Sequence, residues 1–483
     1  MDFSECKRSE DYLDDQHLSR LKNYQYRSVD HSPTTKYILR HCTSKRWNTL
    51  SPKDRVGVCS RMDASMVGVS DKNKTPNTIT LIGLMFIVVN VMTVVIYVPD
   101  LKTDAPSWIY FSFDISAFHM SLIYDSFLCA DSRSAYFSIK LWIVNVDGKQ
   151  ARKTGTSSPL GELFDHGIDS LNCVLGGLVQ CAAVGSGHSL YAVFILLVAC
   201  WPMYLSTWEE YHTVSDTTSF GVLYLGFING YAEIKGLPSP WPTEGLLIAM
   251  AVLVSTGFEG VQLWSKPVEN YISLPEPILN YFDRAGHELK LLDLFVSFVM
   301  LALVFGHAPS CFYNTYMAIR DNKSQPRSKQ DSRISSFPQA LLRLSPLFIF
   351  TFCSASWLAS PHSHLLKNEK IIEFGLMLCF IFGRIATRII LSHLTKSHFP
   401  FWSGMLTPLI GGSLAVNLPV IGLSVIISFQ MPTLLSPWGE LVYLRLMFFF
   451  CFVGYVGSSL RTINRFCEVL RINCLTIRSR SSA

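Results

Sequence analysis

The chain has 483 residues, of which 49% are hydrophobic and only 16% are charged. Soluble domains usually carry about 25% charged residues, so this composition favours a polytopic membrane protein and argues against a soluble one. The net charge of +5 is small, and Lys and Arg in cytosolic loops explain it better than nucleic-acid binding does. The 13 cysteines include no Cys-x-x-Cys pair, which gives little support to a disulfide framework or a zinc site.

Residues 1–76 form a hydrophilic region without the pattern of a secretory signal peptide. Leu18, Leu21 and Tyr24 are roughly helix-spaced within it. They predict either an amphipathic helix on the membrane surface or an ordinary solvated helix. The first long apolar run follows at 79–98, so we expect the N-terminal region to stay in the cytosol.

Apolar runs recur along the rest of the chain and predict an all-α, polytopic membrane bundle of about ten transmembrane helices. The runs are 79–98, 107–127, 168–185, 188–206, 245–264, 290–306, 340–359, 371–392, 404–429 and 440–458. We place the membrane domain at 77–460. The polar, basic segment 320–339 and the basic tail 461–483 are expected on the cytosolic side.

A group of charged residues interrupts the apolar pattern between Asp147 and Asp169. Asp165 and Asp169 are four residues apart and therefore share one helix face, while Asp147 ends the preceding apolar segment. Charges are costly inside a membrane and usually mark a functional site there. Three carboxylates from two helices suit a hard cation such as Mg²⁺ or Mn²⁺, and Lys149 and Arg152 suit a phosphate group. The alternative is a buried structural network of the same charges.

The same residues form the pattern Asp-Gly-x2-Ala-Arg-x8-Gly-x3-Asp-x3-Asp over 147–169. This pattern resembles the motif of the CDP-alcohol phosphatidyltransferases. The full sequence of this stretch, DGKQARKTGTSSPLGELFDHGIDS (147–170), resembles the fungal choline/ethanolaminephosphotransferase branch, which includes diacylglycerol cholinephosphotransferase. The segments TPNTIT (75–80), TWEEYH (207–212) and SHLTKS (392–397) look like further parts of that family, so the resemblance covers roughly the whole chain.

The resemblance implies roles for the motif residues. Asp147 and Asp165 would be metal ligands, and Asp169 would be a metal ligand or the general base. His166 is one position off the face of the two later aspartates, which predicts a local hydrogen-bonding residue. The nucleotide would be bound by six further residues, namely Asn77, Gly148, Lys149, Ala151, Arg152 and Gly161. The glycines would let the backbone approach the nucleotide, the alanine would allow tight helix packing, and the cations would contact phosphate.

The implied reaction transfers phosphocholine or phosphoethanolamine from CDP-choline or CDP-ethanolamine to diacylglycerol, forming phosphatidylcholine or phosphatidylethanolamine and CMP. Mg²⁺ or Mn²⁺ would be the cofactor, and the lipid bilayer would supply the acceptor. The resemblance also implies a homodimer and an integral protein of the endoplasmic reticulum or Golgi, with its active site facing the cytosol. Another member of the family that uses a different alcohol is the alternative enzyme.

The end of the run 188–206 carries a second polar group, Glu209, Glu210 and His212. These residues could bind the cationic head group or assist proton transfer, which makes His212 a candidate catalytic residue. An interfacial polar cap is an equally good interpretation. Trp208 and Tyr211 predict anchors at the membrane interface rather than a cage for a quaternary amine.

One position departs from the family pattern. Val144 stands where the family has an aspartate three residues before Asp147, and valine cannot ligate a cation. The stretch 128–144 looks like an insertion of about 16 residues, because Tyr124–Phe127 and Asn145–Gly148 would adjoin in the family with one Asp between them. Retained unspliced sequence and a divergent isoform both explain this, and a catalytically impaired homologue is the alternative function.

Overall fold

The computed structural model describes Leu18, Leu21 and residues 76–122, 157–213, 244–273, 288–324, 336–421 and 434–476. Within these ranges the regular elements are helices, accompanied by an isolated bridge between Pro267 and Lys290. The expected all-α fold class is therefore confirmed for the described part of the chain.

The helices are α1 (Pro76–Tyr97), α2 (Ser107–Leu122), α3 (Pro159–Ala183), α4 (Leu190–Thr213), α5 (Glu244–Glu259), α6 (Leu291–Leu301), α7 (Ala308–Ser324), α8 (Phe337–Leu342), α9 (Ser345–Ala359), α10 (Ile371–Leu394), α11 (Leu406–Ile421) and α12 (Pro437–Leu470). A π-helical turn, Ala302–His307, joins α6 to α7. Short 3₁₀ turns follow α5 at Val261–Ser265 and Val268–Asn270.

Six helical segments among the described residues are long and apolar enough to cross a membrane. They are Pro76–Tyr97, Leu190–Thr213, Leu291–Ser324, Phe337–Ala359, Ile371–Leu394 and Pro437–Leu470. The expected number of about ten spans is not confirmed. Helix α2 is one case: only its residues to Leu122 are described within the predicted run 107–127, so the described helix is too short to count as a span.

Two helices extend beyond the apolar runs that predicted them. Helix α3 begins at Pro159 although its apolar run begins at residue 168, so the charged end of the motif is helical. Helix α12 continues to Leu470 although its run ends at residue 458, so it passes through the predicted domain boundary at 460. Polar residues can join a helix that its neighbours bury, which hydropathy alone does not reveal.

Helices α3, α4 and α10 form the centre of the bundle, and α1 and α12 pack on its outside. Helix α10 approaches α3 closely through glycines: a Cβ on Gly375 would lie 2.9 Å from Leu178 Cδ2, and one on Gly383 would lie 2.7 Å from Leu171 Cδ2. Small residues at such positions let two helix backbones come together inside a membrane. This contact sets the position of the last turn of α10 relative to the first turns of α3.

Five helix termini meet at one end of this bundle, which we call the motif end. The N-termini of α1 and α3 lie there, because a Cβ on Gly161 would be 3.6 Å from Asn77 Oδ1. The segment after α12 reaches the same end, where Asn77 Nδ2 donates to the Cys474 carbonyl at 3.0 Å. Side chains from the last turns of α4 and α10 complete it, because Glu210 and His393 have ligand atoms within 4.8 Å of one another and of Glu162 in α3.

The outer faces of the bundle are apolar as well as the core. In α1, Val91 and Val94 are buried, whereas Val89 and Ile96 on the other side are 59% and 66% exposed. Exposed apolar surface of this kind suits lipid rather than water. Leu18, from the predicted amphipathic segment, is fully buried in the core.

The glycine contact makes a prediction about stability. Replacing Gly375 and Gly383 with Ala should destabilise the bundle by about 1–3 kcal/mol per site, because each new methyl group overlaps a leucine of α3. Thermal unfolding of the detergent-purified protein, followed by size-exclusion recovery, measures this. The control is Gly176→Ala with Gly457→Ala, since a Cβ at either position meets nothing within 4 Å. Equal melting temperatures for the two double variants would contradict the close approach.

Candidate active site

The start of α3 builds the first part of the site. Ser158 is the N-cap, and its Oγ accepts a hydrogen bond from the Gly161 N–H at 3.2 Å. Pro159 follows at the first helical position, where its missing N–H costs nothing. These signals start the helix just before the motif residues, so Glu162, Asp165 and Asp169 fall on successive turns of one helix.

Asp165 and Asp169 lie together, as their spacing predicts, and His166 lies between them. The His166 Nδ1 atom is 4.0 Å from Asp165 Oδ2 and 3.7 Å from Asp169 Oδ2. These distances exceed a hydrogen bond, and Nδ1 is buried without a hydrogen-bond partner among the described residues. The three side chains could hold a metal ion. Two carboxylates and an imidazole nitrogen are ligands that suit Mn²⁺, and the carboxylates alone suit Mg²⁺.

The local hydrogen-bonding role of His166 stays a prediction, and the structure places its ring near both carboxylates. Nδ1 is 4.0 Å from Asp165 Oδ2 and 3.7 Å from Asp169 Oδ2, and the side chain is 17% exposed. The missed signal is geometric: residue 166 is three positions before Asp169, and such pairs are neighbours on a helix surface.

Asn77 and Gly161 meet beside this group. A Cβ on Gly161 would lie 3.6 Å from Asn77 Oδ1, an ordinary contact distance. The Asn77 amide nitrogen is directed to the Cys474 carbonyl at 3.0 Å. Two of the six residues predicted to bind the nucleotide therefore lie together at the motif end, on the first turns of α1 and α3.

A second polar group joins three helices. Glu162 of α3, Glu210 of α4 and His393 of α10 have ligand atoms within 4.8 Å of one another. Of these three residues, only Glu210 stands out in the sequence as a candidate site residue. The others carried weak signals, since Glu162 precedes Asp165 by three residues and His393 lies in the SHLTKS segment.

His212 lies inside the protein, with both ring nitrogens engaged. Its Nδ1 is 2.7 Å from the Trp208 carbonyl, and its Nε2 is 2.9 Å from Arg343 Nη1. A carbonyl accepts and a guanidinium donates, so these two contacts fit the tautomer of His212 that carries its proton on Nδ1. This arrangement favours a structural position for His212, and its catalytic role stays a prediction.

The prediction that Trp208 and Tyr211 anchor the chain at the membrane interface is wrong. Trp208 is fully buried and donates from Nε1 to the Ala340 carbonyl at 2.9 Å. Tyr211 is 2% exposed and donates to the Ser397 carbonyl at 2.9 Å. Helix α4 is central in the bundle, so its aromatic residues face protein rather than the lipid boundary.

The remaining site predictions lie outside the described residues. These positions are Val144, Asp147, Gly148, Lys149, Ala151 and Arg152. Their roles stay predictions that rest on the motif.

Comparisons with known proteins agree with the motif. Residues 135–270 match the family model of the CDP-alcohol phosphatidyltransferases. The chain is 30% identical over 403 residues to choline/ethanolaminephosphotransferase 1 of Saccharomyces cerevisiae, covering 82% of this chain and 83% of that protein. It is 29% identical over 386 residues to cholinephosphotransferase 1 of the same yeast, covering 79% of each chain. It is 26% identical over 411 residues to ethanolaminephosphotransferase 1 of Mus musculus, covering 83% of this chain and 81% of that protein.

These similarities run along most of the chain and are not confined to the motif. Together with the apolar helices, they identify an integral membrane enzyme of phospholipid biosynthesis. The family resemblance read from residues 147–169 is confirmed. With a matching family model and 30% identity across four-fifths of a choline/ethanolaminephosphotransferase, the chain belongs to the CDP-alcohol phosphatidyltransferase family and is a phosphotransferase.

Proposed function

We propose that the protein transfers phosphocholine or phosphoethanolamine from the corresponding CDP-alcohol to diacylglycerol. The observation that carries this proposal is the grouping of Asp165, His166 and Asp169 at the start of α3. The names of the yeast and mouse relatives support the choice of alcohols.

The reaction exchanges one phosphate ester for another. The lipid hydroxyl oxygen forms a bond to the phosphorus that carries the alcohol, while the bond from that phosphorus to the CMP oxygen breaks. CMP leaves with the bonding electrons, and the hydroxyl proton passes to a base. Catalysis of such a step consists mainly of positioning and charge neutralisation.

Asp169 is the proposed base, with His166 beside it. Asp169 is 8% exposed, so its carboxylate is shielded from bulk water. The His166 Nδ1 lies 3.7 Å from Asp169 Oδ2, so the imidazole is next to the proposed base. A positioned base of this kind contributes about 10²–10⁴-fold to a rate.

The residues present also fit a divalent cation. Asp165, His166 and Asp169 offer ligand atoms within 4.8 Å of one another, and we propose that Asp147 adds a further carboxylate. Mg²⁺ or Mn²⁺ held there would neutralise the charge of the pyrophosphate. Asn77 and Gly161, which lie together at the same end, are proposed to bind the nucleotide.

The proposed location is the endoplasmic reticulum or Golgi, with the motif end facing the cytosol. The basic segments 320–339 and 461–483 support this orientation, because cytosolic loops are enriched in Lys and Arg. A water-soluble CDP-alcohol would enter from the cytosol, and diacylglycerol would enter laterally from the bilayer. A homodimer remains a proposal from the family resemblance.

The alternative of a catalytically impaired homologue is not favoured. The match to the yeast protein named choline/ethanolaminephosphotransferase 1 covers 82% of this chain. Val144 remains the residue on which that alternative depends.

Replacing Asp169 with Asn should lower transferase activity at least about 100-fold, because the amide cannot accept the hydroxyl proton. Radiolabelled phospholipid formed from CDP-choline or CDP-ethanolamine with diacylglycerol and Mg²⁺ measures this. The membranes should come from cells that lack such enzymes. Asp321→Asn, an exposed carboxylate near the end of α7, is the matched control and should keep full activity. Retention of more than a tenth of the activity by Asp169→Asn would contradict the assignment.

Replacing Val144 with Asp should lower the Mg²⁺ concentration needed for half-maximal activity. The change restores the carboxylate three residues before Asp147 and adds a ligand to the proposed metal site. Val144→Asn is the control, since it adds a polar side chain without the charge. The same assay on a chain with 128–144 replaced by one Asp tests whether the stretch is an insertion. If Val144→Asp and the chain with one Asp in place of 128–144 both kept the original Mg²⁺ requirement, an aspartate three residues before Asp147 would not be a metal ligand.

A further inference from the structure

Glu162, Glu210 and His393, which we call the three-helix cluster, lie at the motif end beside the catalytic residues. Their ligand atoms are within 4.8 Å of one another, although they come from α3, α4 and α10. His166 links the two groups, because it interacts electrostatically with Glu162 and Glu210 as well as with Asp169. The cluster is therefore next to the proposed reaction centre and separate from its ligand set.

The buried carboxylate of Glu210 favours binding of a positively charged group. Glu210 is only 8% exposed, and its carboxylate makes no hydrogen bond within the part of the chain that the structure describes. Its carboxylate neighbours Glu162 and Glu209 repel it, and the nearby groups able to carry a positive charge are His166 and His393. A buried carboxylate without a hydrogen-bonded partner is strongly unfavourable, so this side chain is placed to meet a positive ligand.

The helix ends add to this preference. Glu210 lies in the last turn of α4, which ends at Thr213, and His393 lies in the last turn of α10, which ends at Leu394. The C-terminus of a helix carries a partial negative charge that attracts cations. The C-terminal ends of α4 and α10 therefore both favour a cation at the three-helix cluster.

From this geometry we infer that the three-helix cluster binds the ammonium group of the alcohol carried by the CDP-alcohol donor. The inference rests on the proposed function and adds a residue-level account of head-group selection. A primary ammonium has three N–H donors, and the cluster offers three acceptors. Acceptors arranged tetrahedrally at hydrogen-bond distance are ~4.6 Å apart, which matches the spacing within 4.8 Å.

The same wall of the site favours a primary ammonium over a quaternary one. Binding of a quaternary amine relies on open aromatic faces. Of the nearby aromatic residues, Tyr211 already has the Arg343 guanidinium 5.3 Å from its ring centre. Trp208 is fully buried against His212 and Phe312. The described residues of α4 thus present carboxylates to the head group, and CDP-ethanolamine should bind more tightly than CDP-choline.

The test is binding of nucleotides to the full-length purified chain in detergent, with CMP, CDP-ethanolamine and CDP-choline as probes. We expect CDP-ethanolamine to bind more tightly than CMP, and Glu210→Gln to lose at least about tenfold of that affinity while CMP affinity is unchanged. Glu259→Gln is the matched control. Its side chain is 59% exposed at the end of α5, and the residues that follow it lie beside Gly185, just past the C-terminal end of α3 and away from the motif end, so this variant should behave as wild type. Glu162→Gln provides a second variant with the same expected loss.

The outcomes are distinguishable. Equal weakening of CMP and CDP-ethanolamine, or no weakening in either variant, would overturn the head-group assignment and leave the transferase proposal intact. Loss of a bound Mn²⁺ ion from Glu210→Gln, with an unchanged preference for CDP-ethanolamine, would assign the cluster to a metal instead. Failure of wild type to bind any of the three nucleotides would overturn the proposed function itself.

Discussion

The close approach of α10 to α3 is the constraint on which the rest of the site depends. Glycines at 375 and 383 make room on α10 for the side chains of Leu178 and Leu171 from α3, and this packing fixes where the last turn of α10 meets the first turns of α3. A larger separation would move His393 away from Glu162 and leave the carboxylates of α3 facing solvent or lipid. The motif end of this membrane bundle is thus positioned mainly by apolar packing between α3 and α10.

The motif end brings several acidic side chains together in a largely buried place. Glu162, Asp165, Asp169 and Glu210 lie around His166. Carboxylates so close together repel one another, and they are stable together when cations lie between them. A divalent ion and the ammonium of a substrate would meet this need at two adjacent places. Affinity for the donor would then arise from the same electrostatics that position its phosphorus.

The sequence predicted the local part of this arrangement well. The i, i+4 spacing placed Asp165 and Asp169 on one face, and the family motif identified them as a site. It could not predict that residues 162, 210 and 393 converge, because helix packing, and not spacing along the chain, brings them together. Hydropathy misplaced Trp208 and Tyr211 for a related reason: the end of an apolar run indicates a membrane boundary in an outer helix, but a buried junction in a central one. Likewise, the start of α3 was set by Ser158 and Pro159 rather than by the apolar run.

The hydrogen bond from Asn77 to the Cys474 carbonyl has a consequence for how the protein can be handled and regulated. It fastens the segment that follows the last helix to the first turn of α1, some 400 residues earlier in sequence. The two outer edges of the helical domain are therefore joined beside the place proposed for the nucleotide. Because Asn77 is proposed to bind the nucleotide, a truncation that removes Cys474 would deprive the Asn77 amide of this acceptor without altering any residue of the motif.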